Sequence, residues 1–244
     1  PQQRLILERG YEALHAAGFS RGELVEGAVG VFVGIAVTDF VEVLRSLPAS
    51  GSAYAATGSA ISVASGRLSY VLGLQGACGA YDTACSSTLT ACHAARRAIQ
   101  LNECMTGLVT GVCLMLLPAI GIAFAVASMT SERGRCHTFD ARADGYARSE
   151  TCGAEALRSA MEMDESVAIL VRGSAVRSDG RSASLTAPNG KAQQGLILAA
   201  MVDSHVRSGA VARYEAHGTG TALGDPIEAG SVSRALLATR SDAC

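Results

Sequence analysis

The chain has 244 residues, of which 49% are hydrophobic and 17% charged, with 27 glycines and a formal net charge of -2. That balance excludes a disordered chain, and it leaves no basic footprint for nucleic acid or an anionic membrane. The length accommodates one large domain or two modest ones around a sizeable core.

In chain order, PQQRLILERGYEALHAAGF reads as an amphipathic helix, with Leu5, Ile6 and Leu14 near one face and Gly18 as its stop. Gly30 to Ile35 is a short β-branched run of the fully buried kind. YAATGSAISVASGRLSYVLGL reads as a loop leading into a small-residue helix. GACGAYDTA then reads as a strand, and CSSTLTACHAARRAIQ as a helix on which Cys85, Leu89, Cys92 and Ile99 share a face.

The uncharged run from Cys104 to Ser131 imitates a membrane span by length. Gly107, Gly111, Pro118 and Gly121 interrupt it, and no aromatic belt or basic flank frames it. A strand LVTGVCLML, a turn at Pro118 and a small-residue segment toward Met129 are more economical, so no membrane span is expected.

CHTFDARADGYARSE has the polar punctuation of a long loop, and VAILVRGSAV (Val167 to Val176) reads as a buried strand. SDGRSASLTAPNG is a second loop, followed by a helix over AQQGLILAAMVDSHVRSG with Leu196, Met201 and Val202 among its apolar positions. AVARYEAH reads as a strand, and DPIEAGSVSRALLA as a helix with Asp225 at its N-cap and Pro226 at its first position. Strands alternate with helices throughout, which implies an α/β class with mainly parallel, covered sheets.

The chain has eight cysteines, but it shows no signal peptide and no Cys-x-x-Cys pair, so mostly buried thiols in a reducing cytoplasm are expected, not a disulfide framework. Cys78, Cys85 and Cys92 recur every seven residues, which is not a metal-ligand spacing, and no metal site is expected. Cys85 stands apart because it falls where a strand gives way to a helix, between small and hydroxyl residues. At a helix start, unpaired backbone N–H groups favour a thiolate and can also hold an oxyanion. A buried thiol and a nucleophile both remain open on this ground alone.

His217 leaves a presumed strand into a loop of glycines and hydroxyl residues, where backbone can approach a ligand. His15, His93, His137 and His205 lack that setting. Gly218, Gly220 and Gly224 also offer a dinucleotide-binding turn, although the spacing G-x-G-x-x-x-G departs from that fingerprint.

YDTACSSTL resembles the active-site block of β-ketoacyl synthases, specifically ketosynthase domains of type I or modular polyketide synthases. PQQRLILERGYEALHAAG, GVFVG, ASGRLSYVLGLQGAC, GRCHTFDARADGYARSE, SLTAPNG and EAHGTGTALGDPIEA follow in the family's order. The resemblance implies a thiolase-like α/β fold of layers α/β/α/β/α, truncated at both ends, in a homodimer. Residues 1–153 would form the N-terminal half without its first strand, and 154–244 the beginning of the C-terminal half.

By the same resemblance Cys85 would take an acyl group from an acyl carrier protein, and His217 would help decarboxylate a malonyl-type extender. Thr219 and Thr221 would contact the phosphopantetheine arm. No directly bound cofactor is implied, the substrate being carried on that arm, and other polyketide synthase domains would be partners. The family's second histidine has no counterpart after His217, so the isolated fragment is expected to be inactive.

Ser149 and Thr151 stand where the family usually has glycines, which implies backbone strain if those sites need positive φ. TCGAEALRSAM is less strand-like than its family counterpart, pointing to a local deletion or misfit. Two other readings are a non-catalytic carrier-docking partner and a cysteine hydrolase in which His217 deprotonates Cys85. A retained active-site cysteine argues against the first.

Overall fold

The computed structural model describes residues 1–36, 39–47, 52–159 and 169–237. The chain divides into two compact units, Pro1–Leu117 with Ser149–Ala168, and Pro118–Arg148 with Ile169–Cys244.

Among the described residues the α-helices are α1 (Gln2–Ala16), α2 (Arg21–Leu24), α3 (Phe40–Arg45), α4 (Ala55–Ser59), α5 (Ile61–Leu72), α6 (Ser87–Gln100), α7 (Pro118–Val126), α8 (Gly190–Ser204) and α9 (Gly224–Leu236). The strands are β1 (Val29–Gly34), β2 (Cys78–Tyr81), β3 (Thr106–Cys113) and β4 (Thr151–Arg158). These four strands, all in the first unit, form one sheet in the order β2-β1-β3-β4 among the described residues. β1 runs parallel to β2 and β3, while β4 pairs antiparallel with β3.

β1 is buried along its whole length, and its alternation assigns its side chains to two cores. Val31 and Val33 join Ile6 and Leu14 of α1, Leu68 of α5 and Leu108 of β3. Phe32 points the other way, with Val109, into the alanines of α6. The unit is therefore a sheet with α1 and α5 on one face and α6 on the other, the layering expected when helices cover parallel strands.

α6 approaches the sheet closely because both partners are small. Its buried residues are Ser87, Ala91, Ala95 and Ala98. Gly34 and Gly111 are register partners on β1 and β3, and Thr88 fills the space that side chains there would need. A Cβ at Gly34 would come within 2.5 Å of the Thr88 backbone, and one at Gly107 within 3.0 Å of the Ala95 methyl.

Several sequence expectations need correction. Of the face expected for α6, Cys92 and Ile99 do pack against the core beside its alanines, but Leu89 is exposed and Cys85 precedes the helix. Alanine and serine face the sheet because glycine-bearing strands leave no depth for leucine. TCGAEALR forms β4 without misfit, since Cys152, Ala154 and Ala156 alternate onto the α1–α5 core. Neither Ser149 nor Thr151 has positive φ, so the anticipated strain does not arise. Residues 55–59 are already helical as α4, where the small-residue composition predicts a loop.

In the second unit α8 packs against α9, with Ser231 donating to the Gly190 carbonyl at 3.0 Å. Asn189 caps α8 by accepting from the Lys191 and Ala192 amides, and is itself held to Asp179. The strands expected over Val167 to Val176 and over AVARYEAH are not formed in the described residues, and Val167 itself lies outside them. Ile169, Leu170 and Val176 are exposed. A strand requires a ladder partner, and among the described residues of this unit the one β-bridge joins Thr130 and Tyr146. Among the described residues no helix is long and apolar enough to cross a membrane, and no cluster of side chains suits a metal ion.

The seat of α6 is open to mutation. Gly34→Ala and Gly111→Ala will each destabilise the protein by about 1–3 kcal/mol, because a Cβ at Gly34 meets the Thr88 backbone and one at Gly111 meets the Thr88 hydroxyl and methyl together; urea unfolding measures both. Burial, with Glu155 beside it, pushes the Cys92 thiol up to about 12 from 9.0. The folded state therefore favours the neutral thiol. Its contribution to stability will be full below about pH 9 and lost as the pH rises toward 12, and Cys92→Ser will flatten that part of the stability–pH curve.

Candidate functional site

The first site element is the turn between β2 and α6. Several of its backbone groups are bonded by the turn's own hydroxyl and carboxylate side chains. Asp82 accepts from the Ala84 amide at 3.2 Å, and the buried Ser87 hydroxyl accepts from the Thr83 amide at 2.9 Å while donating to the Ala84 carbonyl at 2.7 Å. Ser86 donates to the Thr83 carbonyl and hydroxyl, both at 2.9 Å, and Thr83 also meets the Thr90 hydroxyl at 3.1 Å.

These bonds hold a backbone that would not adopt this shape unaided. Ala84 has a φ of 55°, the left-handed region that costs a non-glycine residue roughly 1–2 kcal/mol. Cys85 follows, in a 3-10 turn over Ala84–Ser86 that leads straight into α6. It is exposed, as Cys78 is, whereas Cys104 is buried and Cys92, Cys113, Cys136 and Cys152 are half-buried. Exposure decides against Cys85 as a buried structural thiol. Burial raises the thiol pKa of Cys92, Cys104 and Cys152, making these sulfurs poorer nucleophiles at neutral pH.

The second element lies in the other unit and contains His217, Thr219 and Thr221 on one loop. Two carboxylates from the first turns of α9 organise that loop. Glu228 accepts from the His217 amide at 2.7 Å and from the Gly218 amide at 2.9 Å. Asp225, 4% exposed, accepts from Gly220 at 3.1 Å and Thr221 at 3.3 Å through Oδ1, and from Phe139 at 2.7 Å through Oδ2. Asp225 is thus inside the first turn of α9 and serves the preceding loop; it is not the N-cap of its own helix, which the Asp-Pro pair had suggested.

The loop packs against residues 136–146. The Gly145 amide donates to the Gly220 carbonyl at 2.9 Å, and any side chain at Gly220, whose φ is 70°, would overlap the Cys136 carbonyl. Thr219 and Thr221 share a hydroxyl–hydroxyl bond of 3.1 Å, and Thr221 accepts from the Gly224 amide. The glycines of this stretch therefore serve close backbone packing and positive φ, and AVARYEAH before them forms no strand. A dinucleotide-binding turn follows directly from a strand, so this stretch does not have that form.

Sequence reasoning missed Glu228 and Thr138 and misread Asp225. The signal for the two carboxylates was present: a spacing of three residues on a helix start, immediately after a glycine-rich loop, aims both at the loop's amides.

Residues 1–162 match the family described as Beta-ketoacyl synthase, N-terminal domain, and residues 168–244 match Beta-ketoacyl synthase, C-terminal domain. The chain is 43% identical over 231 residues to a phenolphthiocerol/phthiocerol polyketide synthase polypeptide of Mycobacterium tuberculosis, covering 93% of this chain and 13% of that protein. It is 43% identical over 242 residues to the spectinabilin polyketide synthase system protein NorC of Streptomyces orinoci, covering 98% of this chain and 10% of that one. It thus spans only about a tenth of the length of these curated relatives. Among solved structures, the ketosynthase from module 6 of the bacillaene synthase of Bacillus subtilis superposes with a TM-score of 0.89 at 32% identity, over 98% of this chain and 41% of that one.

The carboxylate scaffold gives a direct test. Asp225→Asn replaces one acceptor oxygen by a donor facing backbone N–H groups. We expect a loss of about 1.5–3 kcal/mol and faster hydrogen exchange at the Gly220 and Thr221 amides. Unchanged exchange at both amides would show that Asp225 does not hold the loop.

Proposed function

The chain belongs to the beta-ketoacyl synthase family, and from that premise we propose that it forms the ketosynthase part of a polyketide synthase, with Cys85 as the acyl-accepting nucleophile. The fold is the thiolase-like α/β fold of the ketosynthases it superposes on, and the family's chemistry is that of condensing acyltransferases. The observation that carries the proposal is the exposure of Cys85 at a strained, hydroxyl-braced turn leading into α6.

The proposed reaction has two halves. The Cys85 thiolate attacks the carbonyl carbon of an acyl thioester on the phosphopantetheine arm of an acyl carrier protein. A new carbon–sulfur bond forms, the arm leaves as a thiolate that takes up a proton, and the acyl group rests on Cys85. N–H groups at the start of α6 favour both the attacking thiolate and the oxyanion that forms on the way.

A malonyl-type extender then loses carbon dioxide, and the resulting enolate carbon attacks the Cys85-bound acyl carbon, releasing the thiolate and leaving a β-ketoacyl chain on the carrier. His217 is assigned to the decarboxylation, where an imidazole hydrogen bond stabilises the enolate oxygen. Thr219 and Thr221 are assigned to the phosphopantetheine arm. An acyl carrier protein, a second copy of the chain and further synthase domains are the partners, and the cytoplasm is the setting.

Cys78 provides an internal control because it is exposed but lies at the start of an edge strand. Treated with limiting iodoacetamide at neutral pH, the protein should label at Cys85 at least about tenfold faster than at Cys78. An acyl-thioester donor should then protect Cys85 alone. Equal slow labelling of the two thiols would favour a non-catalytic carrier-docking partner and defeat the assignment.

A further inference from the structure

We propose that Thr138, in the loop between α7 and β4, is a positioning residue for His217. The inference rests on the reading of His217 as the decarboxylating imidazole. Thr138 engages Gly218, the residue next to His217, in two ways. Its hydroxyl donates to the Gly218 carbonyl at 2.5 Å. Its methyl occupies the space of the absent side chain, since a Cβ on Gly218 would stand 2.7 Å from Thr138 Cγ2.

The peptide groups on both sides of Gly218 are therefore held. Glu228 takes the amide of the one that joins it to His217, and Thr138 takes the carbonyl of the one that joins it to Thr219. Gly218 itself has a φ of 54°, and glycine there would otherwise sample a wide range of backbone shapes. With both peptides fixed, the backbone that carries the imidazole has one orientation.

Thr138 is itself presented by an unfavourable backbone. His137 and Phe139 on either side have φ of 36° and 57°, and the Phe139 amide is tied to Asp225. The same carboxylate thus secures both the His217 loop and the residue that clasps it. Thr138 is exposed, so changing it should leave the melting temperature nearly unaltered, and a kinetic effect separates from a folding one.

The test uses the full-length protein with T138V, which keeps the methyl and removes the donor, T138S, which keeps the donor, and H217A. We expect T138V to lower kcat for malonyl decarboxylation on the order of tenfold, with KM and the rate of Cys85 acylation unchanged. Amide exchange at Thr219 should rise in T138V, and T138S should restore wild-type values. If H217A lowers decarboxylation but T138V does not, or if T138V slows acylation equally, the positioning role of Thr138 is wrong while that of His217 stands. If H217A leaves decarboxylation intact, the reading of His217 fails and Thr138 falls with it.

Discussion

The contact on which the first unit depends is the seating of Thr88 over Gly34 and Gly111. These glycines are register partners on adjacent strands, so together they open a notch two strands wide. The second residue of α6 drops into it, and Ala95 does the same at Gly107 farther along the helix. The helix axis is thereby fixed in height and rotation by backbone-to-backbone approach, which packed interiors resist changing. Cys85 lies only two residues before the helix begins. Its position is inherited from that notch.

In the second unit, order comes from carboxylates where the first unit uses close packing. Asp225 and Glu228 between them collect amides from His217, Gly218, Gly220, Thr221 and Phe139. Charge-assisted bonds to backbone N–H groups are strong for their size, and a loop without strand partners needs them to be defined at all. The two halves of the proposed chemistry therefore rest on different physics. A nucleophile is set by steric fit, and a histidine loop by a small electrostatic hub.

Much of this was legible in the residues. The buried run of β1, the amphipathic α1 with Gly18 as its stop, the β2–α6 turn and the helix α8 follow directly from the residue pattern, and α9 was found with its start misplaced at Asp225. The buried face of α6 was only partly legible: Cys92 and Ile99 pack on the core, but Leu89 looks like a core residue until the glycines of the opposing strands are known to favour alanine and serine at the closest approach. β4 was undervalued because its apolar positions are alanine and cysteine, which carry little weight in a hydrophobic pattern although their alternation is regular. Two expected strands failed because β-branched composition describes a surface that fits a ladder and cannot supply the ladder. At the candidate site, Cys85, His217, Thr219 and Thr221 were singled out from sequence alone. Glu228 was overlooked although its spacing from Asp225 signalled it, and Thr138 was invisible there, since its role depends on a contact 80 residues away along the chain.

The left-handed Ala84 carries one more implication. A turn kept in an unfavourable shape by surrounding hydroxyls relaxes as soon as they are hydrated, and the sheet has no need to open for that to happen. Inactivation on warming should accordingly run ahead of the loss of circular dichroism, with the thiol reverting to an ordinary surface cysteine while the strands behind it are still intact.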